Sequence, residues 1–228
     1  MYALFTMHDE KYEALAKYTW DQNKVIYANK HGYAYHKKPF TGAFDKIRFT
    51  KELMVLHPEY EWLWWTGCDS MITNMEIRIQ DRIMNQYHFI ISVDVNGLNS
   101  DSFLIRNTPE GMSLIDDFLS QESEAMKHWD EDQRGMTMAL GLPYTASPEW
   151  PVPGPIELEG KYKNIVKIVA QKYMNSYNYS FYPQYLDQRD KSGVNGNWNF
   201  GDWLIHWPAL SLDQRVQCFH AYQPAVLR

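Results

Sequence analysis

Cysteine is scarce in this chain. Cys68 and Cys218 are the only two among 228 residues, too few for a disulfide framework or a zinc pattern, and a reducing compartment is the simplest expectation. No stretch approaches the roughly 18 uninterrupted apolar residues of a membrane-spanning helix, so no membrane span is expected. Met1–His8 contains no basic region leading into a long apolar segment, so no signal peptide is read there. Positive charge is in deficit: 22 Lys and Arg against 28 Asp and Glu leave a net −6. That balance argues against nucleic acid or an anionic membrane surface as partner. The Rossmann glycine fingerprint, the P-loop, the HExxH helix and the nucleophile elbow are all missing. So are internal repeats and low-complexity tracts.

What is present suits a soluble globular protein. Hydrophobic residues make up 45% and charged residues 22%, which excludes wholesale disorder. The length supports one well-buried domain, expected over residues 1–228. Aromatics reach 15%, with 9 Trp and 16 Tyr. Such rings stack on the flat C–H faces of sugars and equally fill large cores.

The first half alternates strand-like and helix-like segments. Strands are predicted at Tyr2 to Met7, Lys24 to Ala28, Tyr60 to Trp65 and His88 to Val95, and helices at Glu10 to Trp20 and Phe44 to Leu56. This β-α-β order implies a mostly parallel central sheet with helices on both faces. It would bring the loops after Ala28, Trp65 and Val93 to one rim. Further on, helices are predicted from Gly111 to Ser120 and from about Asp130 to Gly141, and a strand from Ile165 to Ala170. Pro143 to Pro155, rich in proline, reads as a loop. Asn175 to Trp207 shows little periodicity and reads as an ordered loop covering a site.

Chemistry concentrates in His57-Pro-Glu-Tyr-Glu-Trp-Leu-Trp-Trp-Thr-Gly67-Cys68-Asp69-Ser70-Met-Ile-Thr-Asn-Met75. A buried aromatic strand stops at Gly67 and delivers Asp69 into the loop at its carboxyl end, where ligands of open α/β sheets bind. A carboxylate there can hold a hard cation, and the cation a diphosphate; a plain capping aspartate is the structural alternative. Three other segments carry separated polar groups. In Gly97-Leu-Asn99-Ser100-Asp101-Ser102-Phe-Leu-Ile-Arg106-Asn107, Asn99 can both donate to and accept from hydroxyls, while Arg106 reads better as a structural ion pair at a strand edge. Trp129-Asp-Glu-Asp132-Gln133 places acidic groups at a helix start, favourable to the dipole whatever else they do. Gly196-Asn-Trp-Asn-Phe-Gly-Asp202-Trp-Leu-Ile-His206-Trp-Pro208 ends on a histidine between aromatics. Gln171-Lys-Tyr-Met-Asn175-Ser-Tyr177 reads as a strand end and turn, with no chemistry assigned.

Together these segments resemble glycosyltransferase family 34, the retaining galactosyl- and xylosyltransferases with a GT-A nucleotide-sugar-binding fold. The resemblance runs from about Lys24 to Pro208 with motif order and spacing kept. That family carries Trp-Trp-x-Asp-x-Asp where this chain has Trp64-Trp65-Thr66-Gly67-Cys68-Asp69, so the first aspartate is replaced by Gly67 and the second survives as Asp69. Asp101 stands where the family has glycine, either narrowing the sugar pocket or bonding a donor hydroxyl. The lysine that follows the histidine in plant members is missing here, and the nearest base is Arg215.

The resemblance implies a metal-assisted transfer of a hexose or pentose from a UDP-sugar to a glycan acceptor. It implies Asp69 and His206 as ligands of Mn²⁺ or another divalent cation, Gln133 beside the anomeric carbon, and Asp132 orienting hydroxyls. Donor contacts would come from Cys68, Asp69, Asn99, Ser102, Asp101 and Lys46; of the early-helix bases Lys46 and Arg48 one could face the diphosphate, although a solvated helix face suits them better. Because relatives in eukaryotes carry an N-terminal anchor, the chain is expected to be a cytoplasmic enzyme of bacterial, phage or viral type. The loss at position 67 leaves two alternatives on the same fold: metal-independent transfer, with a basic side chain in the cation's place, and sugar-nucleotide or glycan binding without turnover.

Overall fold

Period-2 alternation along the strands builds the molecule. In β1 (Tyr2–His8) Leu4 enters one core while Ala3, Phe5 and Met7 enter another. In β3 (Trp62–Thr66) Trp62 and Trp64 face away from Leu63 and Trp65. Both faces of the sheet are therefore covered, which is why these strands read as continuous apolar runs. The computed structural model describes residues 1–94, 96–143, 156–182 and 196–228.

Six strands form the main sheet in the order β2-β1-β3-β6-β5-β7. They are β2 (Ala34–Pro39), β1, β3, β6 (Gly97–Arg106), β5 (Phe89–Asp94) and β7 (Val166–Val169). All run parallel except β6, which lies antiparallel between β3 and β5. The mostly parallel sheet expected from the sequence is present. Its carboxyl rim gathers His8, Pro39, Thr66 and Asp94, and the start of β6 rises beside them. Helices α3 (Asp45–Leu56), α4 (Pro109–Ser120), α5 (Glu122–Ala125) and α6 (Glu131–Ala139) adjoin one core, through Ile47, Leu53, Ile115, Phe118, Ala125 and Met136. The opposite core receives Ala16, Trp20, Tyr27, Met75 and Trp203.

The segment Lys24 to Ala28 is a correction. It lies in one helical stretch made of a 3-10 turn at Glu10–Tyr12, α1 (Glu13–Ala16), a π-helical segment at Lys17–Lys24 and α2 (Val25–His31). Tyr27 and Ala28 are buried against the sheet while Ile26 is exposed, so Val25 and Ile26 express tertiary placement over their β preference. The stop signal is Gly32, at φ 68° in the left-handed region, after which the Tyr33 amide donates to the Ala28 carbonyl. The second strand is β2, an edge strand whose Lys37, Lys38 and Pro39 suit a sheet margin. The loop after Ala28 is consequently absent from the rim.

Asn175 to Trp207 also differs from the loop expected. Its described residues include β8 (Ser176–Tyr177) and β9 (Leu204–His206), which join β4 (Ser70–Ile72) in a second sheet of order β4-β9-β8. Three-residue strands are too short to show a period. Residues 144–155 of the expected proline-rich loop and Val95 of the expected central strand lie outside the described residues. The last α-helix, α7 (Leu212–Tyr222), starts with a reciprocal cap between Ser211 and Gln214.

Candidate functional site

The loop from Gly67 to Ser70 is held from below by the helical stretch. Lys24 Nζ donates to the carbonyls of Gly67 (3.0 Å) and Ser70 (2.6 Å). Thr19 Oγ1 donates to the Cys68 carbonyl at 2.5 Å, and Asn23 exchanges two bonds with the Ile72 backbone. The π-helical segment carries all three side chains, consistent with the frequent use of π geometry at functional sites. Burial pushes the Lys24 ammonium down to about 8, partly offset by Cys68 and Asp69.

Asp69 projects from this loop with its two oxygens committed in different directions. Oδ1 lies 3.3 Å from His206 Nε2 and Oδ2 lies 3.0 Å from Arg215 Nη2. Burial opposes its charge, yet His206 and Arg215 hold the carboxyl well below the usual carboxylate range. Pairing of Ser70 with His206 across β4 and β9 brings the histidine there. The imidazole is fully buried, and its Nδ1 meets Asn175 Oδ1 at 2.9 Å. With the Nδ1 hydrogen given to Asn175, Nε2 is left facing Asp69 and Asp101 without a hydrogen-bond partner. Burial works against a charged imidazole, but the Asp69 and Asp101 carboxylates win and raise its pKa.

A second cluster fills the opposite wall. Lys46 on α3 is buried, 3.0 Å from Asp132 Oδ2 and 3.6 Å from Asp101 Oδ1, with its ammonium 5.3 Å from the Trp65 ring centre. Burial lowers the Lys46 pKa, and Asp132 and Asp101 more than restore it. Asp132 is shifted upward because burial outweighs the Lys46 charge. Between the two clusters lies a cleft of about 290 Å³ bordered by Tyr12, Phe40, Lys46, Trp65, Gly67, Cys68, Asp69, Asp101, Glu131 and Asp132.

Most residues anticipated from the sequence meet here: Lys46, Cys68, Asp69, Asp101 and Asp132 border the cleft, with His206 against two of them. Arg48 does not; it is exposed and pairs with Glu122 and Asp45. Asn99 and Ser102 sit behind the wall. Asn99 Nδ2 donates to Asp94 and to the Tyr177 hydroxyl, and Ser102 Oγ accepts from the Trp64 indole at 3.1 Å. Both therefore shape the strand ends that carry Asp101. Gln133 follows Asp132 on α6 and is half-buried outside the cleft border. Arg106 forms the anticipated structural pair, with Glu61 at 3.2 Å. Burial and the neighbouring Asp69 charge push the Cys68 thiol up to about 12, which keeps it protonated and unreactive.

Four contributors escaped the sequence reading. Arg215 supplies the cation missing after His206. Lys24 ties the loop, Tyr12 bonds Arg215 Nη1 at 2.6 Å, and Asn175 orients His206. Residues this far apart leave no local pattern; only the arginine shortly after His206 was a visible hint.

A divalent cation fits the residues present in part. Two carboxylates and an imidazole are an acceptable donor set for Mn²⁺ or Mg²⁺, and the orphaned His206 Nε2 faces them. Among the described residues, no three His, Cys, Asp or Glu side chains already stand in positions that could hold a metal ion, so Asp69, Asp101 and His206 would have to draw closer together, with water or substrate oxygens completing the set. Nor is any described helix long and apolar enough to cross a membrane.

Known structures share this architecture. A glycosyltransferase involved in glycosylation of the major capsid of PBCV-1 matches with a TM-score of 0.68 at 12% identity, over 96% of this chain and 98% of that one. The galactosyltransferase LgtC, solved with donor and acceptor sugar analogs, matches at 0.51 and 12% identity, over 97% and 96%. These likenesses establish the GT-A fold. In sequence, glycosyltransferase 6 of Arabidopsis thaliana is 32% identical over 50% of this chain and 31% of its own length. An alpha-1,2-galactosyltransferase of Schizosaccharomyces pombe is 24% identical over 42% and 37%. The chain spans about a quarter to a third of the length of such relatives. The family described as galactosyl transferase GMA12/MNN10 matches residues 4–87 and 84–149, well over half of the sequence, and the chain belongs to that family.

Proposed function

We propose that residues 1–228 act as one retaining glycosyltransferase domain that moves a hexose or pentose from a UDP-sugar to a glycan acceptor with help from a divalent cation. The observation that carries this reading is the placement of Asp69. It stands at the carboxyl end of β3 with one oxygen toward His206 Nε2 and the other on Arg215, at the edge of a cleft. Membership in a family of galactosyl transferases supports the class of donor.

In such a transfer the bond from the anomeric carbon to the diphosphate oxygen breaks with its electron pair leaving on the diphosphate, while the acceptor oxygen bonds to that carbon on the same face and its hydroxyl proton departs with the diphosphate. A divalent cation, when bound, stabilises that charge as a Lewis acid; Asp69 and His206 would hold it. Arg215 keeps Asp69 ionised and fixed in orientation, so no side-chain reorganisation is needed as charge develops. Asp132, held by Lys46 at the cleft border, would orient donor and acceptor hydroxyls. By the family resemblance Gln133, next to Asp132 on α6, would supply an amide dipole to the electron-poor sugar carbon, comparable to the oxygen dipoles around an oxocarbenium-like centre.

The test is a thermal-shift panel of UDP- and GDP-sugars on the whole chain, with Mn²⁺ and with chelator, followed by donor hydrolysis. A ligand that binds only the folded state raises the melting temperature. A shift with one UDP-sugar only in Mn²⁺, with turnover, is the expected result. A shift that survives chelator would overturn the cation. Binding without turnover under any condition would favour a sugar-nucleotide-binding relative.

A further inference from the structure

We propose that Asp101 takes the place of a carboxylate at position 67, completing a cation site with Asp69 and His206 from the opposite strand. This rests on the reading of the cleft as a cation-assisted donor site and adds a ligand to it.

The two positions are cross-strand neighbours. The pairing of β3 with β6 sets Thr66 opposite Ser102, and the ladder continues as the Gly67 amide donates to the Asp101 carbonyl at 2.9 Å. A Cβ on Gly67 would lie 3.7 Å from the Cβ of Asp101 and 3.0 Å from Asp69 Oδ1. Side chains at 67 and 101 thus start in van der Waals contact with each other, beside Asp69. A carboxylate on one strand can serve where a carboxylate on the other would have stood, and the two departures from the motif, glycine at 67 and aspartate at 101, fall on this one pair.

Asp101 also reaches the imidazole that Asp69 faces. Its Oδ2 is 3.6 Å from His206 Nε2, while Asp69 Oδ1 approaches the same nitrogen at 3.3 Å. That nitrogen is fully buried and makes no hydrogen bond. Adjacent donors of an octahedral cation at about 2.1 Å stand about 3 Å apart, so a shift of a few tenths of an ångström suffices. The other oxygens of both carboxylates are spoken for by cations of the protein: Oδ2 of Asp69 by Arg215, and Oδ1 of Asp101 by Lys46 at 3.6 Å. Each carboxylate therefore offers one oxygen, and the set stays open for diphosphate and water.

The experiment measures Mn²⁺ uptake by the whole chain from loss of the free-ion paramagnetic resonance signal, with Mn²⁺ alone and with UDP added. The variants are D69N, D101N, D101G and the exchange G67D/D101G, each checked for a wild-type melting profile. D101N and D101G should weaken Mn²⁺ binding by more than the roughly tenfold that loss of even an outer-shell partner costs. The exchange variant should return to within about threefold of wild type, because it restores one carboxylate to the same corner. Unchanged Mn²⁺ affinity in D101N, with loss in D69N, overturns the assignment of Asp101 alone. Loss in D101N without recovery in the exchange variant overturns the equivalence of the two positions. A wild-type chain that takes up no Mn²⁺ under either condition overturns the cation reading of the cleft as well.

Discussion

Arg215 Nη2 lies 3.0 Å from Oδ2 of Asp69, joining the last α-helix to the loop after β3. The same guanidinium donates to the Trp207 carbonyl at 2.9 Å and to the Tyr12 hydroxyl at 2.6 Å. One planar group thereby serves three acceptors in fixed directions, which an ammonium cannot do. It ties the N-terminal helical stretch, the aspartate and the strand end of His206 to α7.

Arg215→Met strands the Asp69 carboxylate in a buried setting. The expected loss is about 3–5 kcal/mol, the cost of removing one partner from a buried ion pair, read from urea unfolding. Donor turnover should fall with it. Arg215→Lys should recover less than half of the stability. A loss in Arg215→Met below about 1 kcal/mol would place the pair among exposed contacts of little weight.

Gln133→Ala tests chemistry against binding. If the amide dipole acts at the sugar carbon, kcat should drop about 100-fold, the scale of losing one preorganised dipole, while donor affinity stays within about twofold. Equal losses in kcat and in donor affinity would assign Gln133 to binding.

Lys24 gives stability a pH dependence with a definite sign. Its pKa is about 8 when folded and about 10.5 for an unperturbed lysine. Between these values the unfolded chain binds the extra proton, so the Lys24 contribution to stability rises with pH. The cost of burying the charge is full below pH 8 and is relieved toward pH 10.5. Stability of the wild type minus that of Lys24→Met should therefore increase from pH 7.5 to pH 9.5 in urea midpoints. A difference that stays flat or falls contradicts a depressed Lys24 pKa.

Gly111 sits where α4 meets the end of β6. A Cβ there would stand 2.2 Å from the Arg106 carbonyl oxygen and 3.5 Å from Ile105 Cγ1. Backbone cannot swing aside as a flexible side chain does, so Gly111→Ala should destabilise by at least about 1–3 kcal/mol, the range for overpacking. A urea midpoint within error of wild type would show that α4 can shift.

The parts of the fold legible in the sequence are those with long, repeated patterns. The apolar runs of β1, β3 and β5 and the helical spacing of α3 and α4 each involve enough residues for a period to show. The aspartate at the carboxyl end of β3 was legible too, because a glycine ended an aromatic strand directly before it. Lys24 to Ala28 misled because Val25 and Ile26 favour strands locally, whereas packing of Tyr27 and Ala28 against the sheet decides for helix. β8 and β9 were hidden because two- and three-residue strands have no period.

Composition, patterning and motif order thus settled an α/β protein with a mostly parallel sheet and its family, and pointed to Asp69, Asp101, Asp132 and Lys46 as candidates. Their chemistry depends on contacts between segments far apart in the chain. Arg215 on Asp69, Asn175 behind His206, and Asp101 across the strand from Gly67 arise only when β3 pairs with β6 and β4 with β9. Side-chain burial and charge pairing are properties of that assembled neighbourhood, so no local stretch of residues encodes them.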